Sequence, residues 1–104
     1  IKETTNKESK IAVYRVSRFT GKDMNKAVEI AESMRHVLEG LGADLIDIAS
    51  DGEGNGLVIA RYPDKAAMDA ATPIAKQAFG KMIEDGAVDE GSIEPWIGDV
   101  IMSL

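Results

Sequence analysis

The chain has 104 residues, a formal net charge of −6 and no cysteine, a length that suits one domain. Acidity without a compensating basic stripe argues against nucleic acid and anionic membrane as partners. The missing cysteines exclude disulfides, thiolate metal centres, iron–sulfur clusters and thiol catalysis, and no apolar run approaches the roughly 18 residues of a membrane span.

Residues 1–10 (IKETTNKESK) are polar apart from Ile1 and are expected to form a flexible lead-in, with 11–104 as the single domain. A start at Ile1 rather than methionine reads as removal of an upstream tag or signal peptide, and a cytoplasmic location is expected. The next run, Ile11–Phe19 (IAVYRVSRF), carries apolar side chains at both sets of alternate positions, which is the pattern of a central strand covered on both faces. A layer of helices can cover one face; the other needs a second cover.

Thr20 or Asp23 can cap a helix expected to run to about Glu39, with Met24, Ala27, Ala31, Met34, Leu38 and Leu41 on its apolar side. Gly40 and Gly42 end it. Ala43–Ser50 reads as a second strand and Leu57–Tyr62 as a third, apolar on both faces. Between them Asp51–Gly56 (DGEGNG) is a strong turn, expected to close on Asn55-Gly56. Asp64 caps a second helix, Pro73 is expected to break or kink it near Thr72, and Gly86 stops it. After a loop at Asp89–Ser92, Pro95 limits the final strand, Trp96–Leu104, to an edge position at its start. The order βαββαβ predicts an α+β fold: an antiparallel sheet ordered 4-1-3-2 with both helices on one face. That order centres the first and third strands, where the two-faced apolar pattern requires them.

Few residues carry chemistry. His36, the only histidine, falls opposite the apolar side of the first helix, so neither a histidine metal site nor a Ser-His-Asp triad is expected. Gly52–Gly56 resembles a phosphate loop only superficially, because it enters a strand instead of a helix. As a calcium loop it has Tyr62 where a bidentate glutamate belongs. The carboxylates Glu84, Asp85, Asp89, Glu90 and Glu94 read as a solvated rim. Tyr14, Arg15, Arg18, Arg61, Tyr62 and Trp96 are more informative, since an arginine among apolar strand neighbours needs a carboxylate, carbonyl or ligand partner. Candidate ion-pair partners are Asp47 and Asp99.

The pattern resembles the dimeric α/β-barrel superfamily of ferredoxin-like βαββαβ units, of the antibiotic-biosynthesis-monooxygenase type. The resemblance covers Ile11–Leu104 and rests on element order, on Phe19-Thr20-Gly21 leading into the first helix, and on the two-faced central strands. It implies a homodimer closed through the sheet faces, which covers the second face of those strands. Members include cofactor-independent monooxygenases, haem-degrading enzymes, polyketide cyclases and muconolactone isomerases. The haem-degrading branch has an asparagine where this chain has Tyr14, and its histidine–tryptophan pairing has no counterpart in His36 and Trp96.

Small alanines and adaptable methionines fill a sheet–helix layer sparsely. An apolar pocket under the helices is therefore expected, taking a fatty-acid-like or polyketide-like molecule, neutral or anionic, and no cofactor. The expected ligand-binding residues are Tyr14, Arg18, Arg61, Tyr62, Met68, Ala75, Phe79 and Trp96, with Met24, Met34, Ala71 and Met82 in the wider lining. Parity separates Tyr14 and Arg18 from Arg15 and leaves open which set meets the helices. The alternative is an enzyme in the same pocket: a cofactor-independent monooxygenase, isomerase or cyclase.

Overall fold

Along the first strand, β1 (Val13–Thr20), Val13, Ser17 and Phe19 are buried while Arg18 is exposed. This alternation is what a pleated strand with unlike faces produces. The computed structural model describes residues 11–104, so the lead-in expected over 1–10 lies outside the described residues. After β1 come α1 (Met24–Ser33), α2 (Arg35–Glu39), β2 (Leu45–Ser50), β3 (Asn55–Tyr62), α3 (Lys65–Glu84) and β4 (Glu94–Asp99). Every strand pair is antiparallel and the order is β2-β3-β1-β4, the expected 4-1-3-2 read from the other edge. This is a ferredoxin-like α+β fold.

Four local expectations need correction. The first helix does not run unbroken to Glu39: it stops at Met34 (φ −105, ψ 8) and restarts as the five-residue α2. The Ser33 hydroxyl donates to the Ile30 carbonyl at 2.6 Å, a back-bond that competes with the helical ladder and bends the chain. Pro73, by contrast, neither breaks nor ends α3, which continues for 20 residues. Pro73 and Asp69, whose carbonyl loses its helical partner, are both exposed residues, so the bond is lost on the solvent side of the helix. The turn after β2 is made by Asp51–Gly54, while Asn55 and Gly56 already belong to β3. Finally, β4 ends at Asp99 instead of Leu104: Asp99 pairs with Val13, the first residue of β1, and beyond it the Val100 N–H donates to the Ala12 carbonyl at 2.8 Å with no further ladder pair among the described residues.

The caps follow the sequence. Lys26 N–H donates to the Asp23 carboxylate at 3.0 Å and Ala67 N–H to the Asp64 carboxylate at 2.8 Å, each satisfying a helix-terminal donor. In the turn, the Asp51 carboxylate accepts from the Asn55 side-chain amide at 2.7 Å and the Glu53 N–H at 2.7 Å. Those bonds, the Asn55 amide first, hold its carboxyl below the usual range.

The core has two parts on the helix side of the sheet. One gathers Phe19, Ala27, Ile30, Met82, Ala87 and Val88. The other gathers Val13, Ala60, Tyr62, Met68 and Ala71. Phe19, 1 % exposed, lies across its β3 partner Gly56 and meets Phe79 edge-to-face at 6.0 Å. Burying an aromatic ring this fully stabilises the fold by about 1.5–3 kcal/mol.

Candidate small-molecule site

Register lays out the helix-facing surface of the sheet in rows. Arg15 pairs with Ala60, which pairs with Ile46; Ser17 pairs with Val58, which pairs with Ile48. These two rows form the floor of a cavity of about 70 Å³. Its roof comes from Ala31, Leu38 and Leu41 on one side and Ala75, Ala78, Phe79 and Met82 of α3 on the other. Members of both core parts line it (Met82 of the first, Ala60 and Tyr62 of the second), so the cavity occupies the seam between them.

Arg15 supplies the charge. Its Nη1 donates to Thr72 Oγ1 at 2.8 Å, its Nη2 to the Tyr62 hydroxyl at 3.0 Å, and its guanidinium lies 5.5 Å from the Tyr62 ring centroid. The Thr72 hydroxyl in turn donates to the Met68 carbonyl at 3.1 Å, which fixes its lone pairs towards Arg15. Among the described residues no carboxylate reaches Arg15; its partners are neutral. A guanidinium has more N–H donors than these two bonds use, so it can still receive an anion or a carbonyl oxygen. Ser17, 5 % exposed and the one buried polar residue among those described, shares the floor.

A second arginine–tyrosine pair lies on the opposite face. Tyr14 and Arg61 are direct cross-strand partners, with Arg61 Nη1 donating to the Tyr14 hydroxyl at 3.4 Å and the guanidinium 5.6 Å from the ring centroid. Tyr14, and then Asp44 at 3.6 Å from Nε, raise the Arg61 pKa. That face also presents Val16, Ile59 and Trp96, which sit in one row. Trp96 is 63 % exposed.

The eight expected ligand-binding residues therefore divide. Tyr62, Ala75 and Phe79 line the cavity. Met68 is buried in the second core part beside Ala71. Tyr14, Arg18, Arg61 and Trp96 face the other way, since Arg18 pairs with Leu57 and Trp96 with Val16 on the open side. Of the wider lining, Met82 meets the cavity, while Met24 and Met34 pack against the Phe19 core part. The expected ligand-binding set omits Arg15, Thr72, Ser17 and Leu38, although Arg15 stands among the informative arginines, on the face opposite Tyr14 and Arg18. The signal for Arg15 was present: Tyr14-Arg15 and Arg61-Tyr62 are mirrored dipeptides on the two central strands, and antiparallel pairing places one Arg–Tyr couple on each face. Neither Asp47 nor Asp99 pairs with an arginine among the described residues; Asp44 does. His36 is exposed on α2.

A larger groove of about 770 Å³ runs along the β2 edge, between Val28, Glu32, Arg35 and Glu39 and the strand residues Leu45 and Asp47. Among the described residues no helix is long and apolar enough to cross a membrane.

No protein-family model and no curated protein sequence matches the chain. Solved structures do resemble it. SnoaB, a cofactor-independent oxygenase from Streptomyces nogalater, superposes with a TM-score of 0.67 at 14 % identity, covering 89 % of this chain and 96 % of that one. A monooxygenase from the gene ActVA-Orf6 of Streptomyces coelicolor, in complex with nanaomycin D, gives 0.63 at 12 % identity, with 90 % and 91 % covered. The chain has the fold of antibiotic-biosynthesis-monooxygenase-type ferredoxin-like domains. A dimeric ferredoxin-like protein from an uncultured marine organism also shares it, with a TM-score of 0.62 at 14 % identity and 96 % of each chain covered.

Proposed function

We propose that this protein binds a small, mainly apolar molecule with an anionic or carbonyl head in the layer between sheet and helices. The observation that carries the reading is Arg15, held by Tyr62 and Thr72 at the wall of a mainly apolar cavity. The neutral partners orient the guanidinium without neutralising it, and the low-dielectric surroundings strengthen its pull on a ligand head. A fatty-acid-like or polyketide-like body then gains about 0.8 kcal/mol per buried methylene.

The same reading includes a homodimer closed through the open sheet faces. Leu57, Ile59, Val16 and Trp96 make that face apolar, and an exposed apolar sheet is a larger patch than monomers commonly present. The marine ferredoxin-like relative in fold is itself dimeric.

A titration with 11-(dansylamino)undecanoic acid tests the binding reading. The unmodified protein gives a saturable rise in dansyl emission. Arg15→Met weakens binding about tenfold to a hundredfold, the loss of one charge-assisted hydrogen bond. Ala75→Phe, which fills the roof, abolishes it while circular dichroism stays unchanged. No saturable binding by the unmodified protein ends the proposal.

A second reading, catalysis in the same pocket, is favoured by the cofactor-independent oxygenase SnoaB and the Streptomyces coelicolor monooxygenase sharing this fold. Here Arg15 and the Tyr62 hydroxyl stabilise the oxyanion of an ionised phenol or enol. Oxygen uptake with a polycyclic phenol, in the absence of added flavin, haem or metal, tests it: an uptake lost in Arg15→Met supports turnover, and equal uptake with and without protein excludes it.

A further inference from the structure

The cavity at Arg15 and the groove beside β2 share a wall. Ala31, Leu38, Ile46 and Ile48 line both. On one side of that wall lies about 70 Å³, on the other about 770 Å³. Ligand pockets commonly span roughly 300–1,000 Å³, so the inner space alone holds only a ligand's head and first few carbons. Any longer body has to pass a wall, and the walls differ in how firmly they are held. The α3 roof belongs to a 20-residue helix that buries Met68, Ala71, Ala78 and Met82. Ile46 and Ile48 are fixed in the β2–β3 ladder. Leu38 is carried by α2, five residues with none buried, set between the break at Met34 and Gly40. Local opening begins where few apolar contacts hold an element.

We propose that Leu38 is the gate between the two spaces, and that the β2 groove is the distal half of one elongated binding site. The ligand class follows from the two ends. The inner end offers the Arg15 guanidinium. The outer groove is lined by Val28, Leu45 and Ala31, with a net acidic rim in which Arg35 pairs with Glu32 and Glu39, Arg61 pairs with Asp44, and Asp47 has no basic partner among the described residues. An anion is drawn inward and repelled at the rim. The site therefore takes a long amphiphile bound with its head inward: carboxylate or enolate at Arg15, apolar shaft past Leu38, uncharged or cationic end in the groove. This inference rests on the binding reading proposed above and adds the route and the length of the ligand.

Stopped-flow fluorescence with 11-(dansylamino)undecanoic acid tests the gate. Leu38→Ala speeds both association and dissociation at least fivefold, and Leu38→Phe, which keeps the site apolar, slows association by a similar factor. Val37→Ala, an exposed neighbour on the same short helix, leaves the rates unchanged and controls for general loosening. Equilibrium titration tests the length: 4-(dansylamino)butyric acid binds at least tenfold more weakly than the undecanoic probe, about the effect of two buried methylenes. If the unmodified protein binds both probes equally, or if Leu38 variants leave the rates unchanged, the gate and the distal half are wrong while the Arg15 site stands. If neither probe binds the unmodified protein, the site and the gate fall together.

Discussion

One close contact carries more of the fold than its size suggests. A Cβ built on Gly56 would sit 2.5 Å from Cζ of Phe19, whose ring is wedged between β3 and Phe79. Gly56→Ala is expected to push that ring off its seat and cost about 1–3 kcal/mol, read from urea denaturation. Gly80 in α3 has open space around it, so Gly80→Ala should stabilise by roughly 0.5–1 kcal/mol in the same assay. Asp51 belongs to the same scale. Its carboxyl is held below the usual range by the Asn55 amide and the Glu53 N–H, so the ionised form stabilises the folded hairpin. That contribution is present above about pH 4, the ordinary aspartate value, and is lost as pH falls through the lowered folded value. Asp51→Ala should therefore lower the thermal midpoint at pH 7, and the gap to the unmodified protein should close by pH 2. A gap that persists unchanged in acid would assign the effect to something other than the charge.

Pro73 shows how an element can overrule a local rule. A proline in a helix interior costs up to about 3 kcal/mol relative to alanine, yet α3 continues through it at a solvent-exposed position, where the carbonyl it leaves without a helical partner need not be buried. Pro73→Ala should restore that hydrogen bond and raise stability by about 1–3 kcal/mol in urea; a fall would mean the helix is shaped around the ring. Sequence patterns of this kind indicate where a helix or strand must exist, and less well where it stops. The Met34 break depends on one Ser33 hydroxyl turning back to Ile30, and the end of β4 depends on how far β1 extends beside it. Both are tertiary or single-rotamer facts with no period to reveal them. Apolar residues at both sets of alternate positions, by contrast, identify β1 and β3 as central strands, and the βαββαβ order independently leads to the same sheet order.

At the scale of the whole molecule, the candidate site was half legible. Parity separated Arg15 from Tyr14 and Arg18, but which set meets the helices depends on how the helices pack back on the sheet, and that is not written in either strand alone. Once that choice is made, register brings Arg15 to Tyr62 and Thr72 and sends Trp96 to the opposite face. The same division gives the molecule two distinct surfaces: the helix-covered layer proposed for a ligand and the open sheet proposed for a second copy of the chain. Burying that open face on dimerisation should remove about 1,200–2,000 Å² in total. Trp96, the only tryptophan, reports it, since its emission should shift to the red when dilution separates the subunits.

Native mass spectrometry of the protein incubated with 11-(dansylamino)undecanoic acid tests the central claim most directly, because it weighs the assembly and its ligand together. The account predicts a species at twice the 11.2 kDa chain mass carrying up to one probe per chain, with the probe lost and the dimer kept in Ala75→Phe. A monomer, or a dimer that never retains the probe, would contradict it.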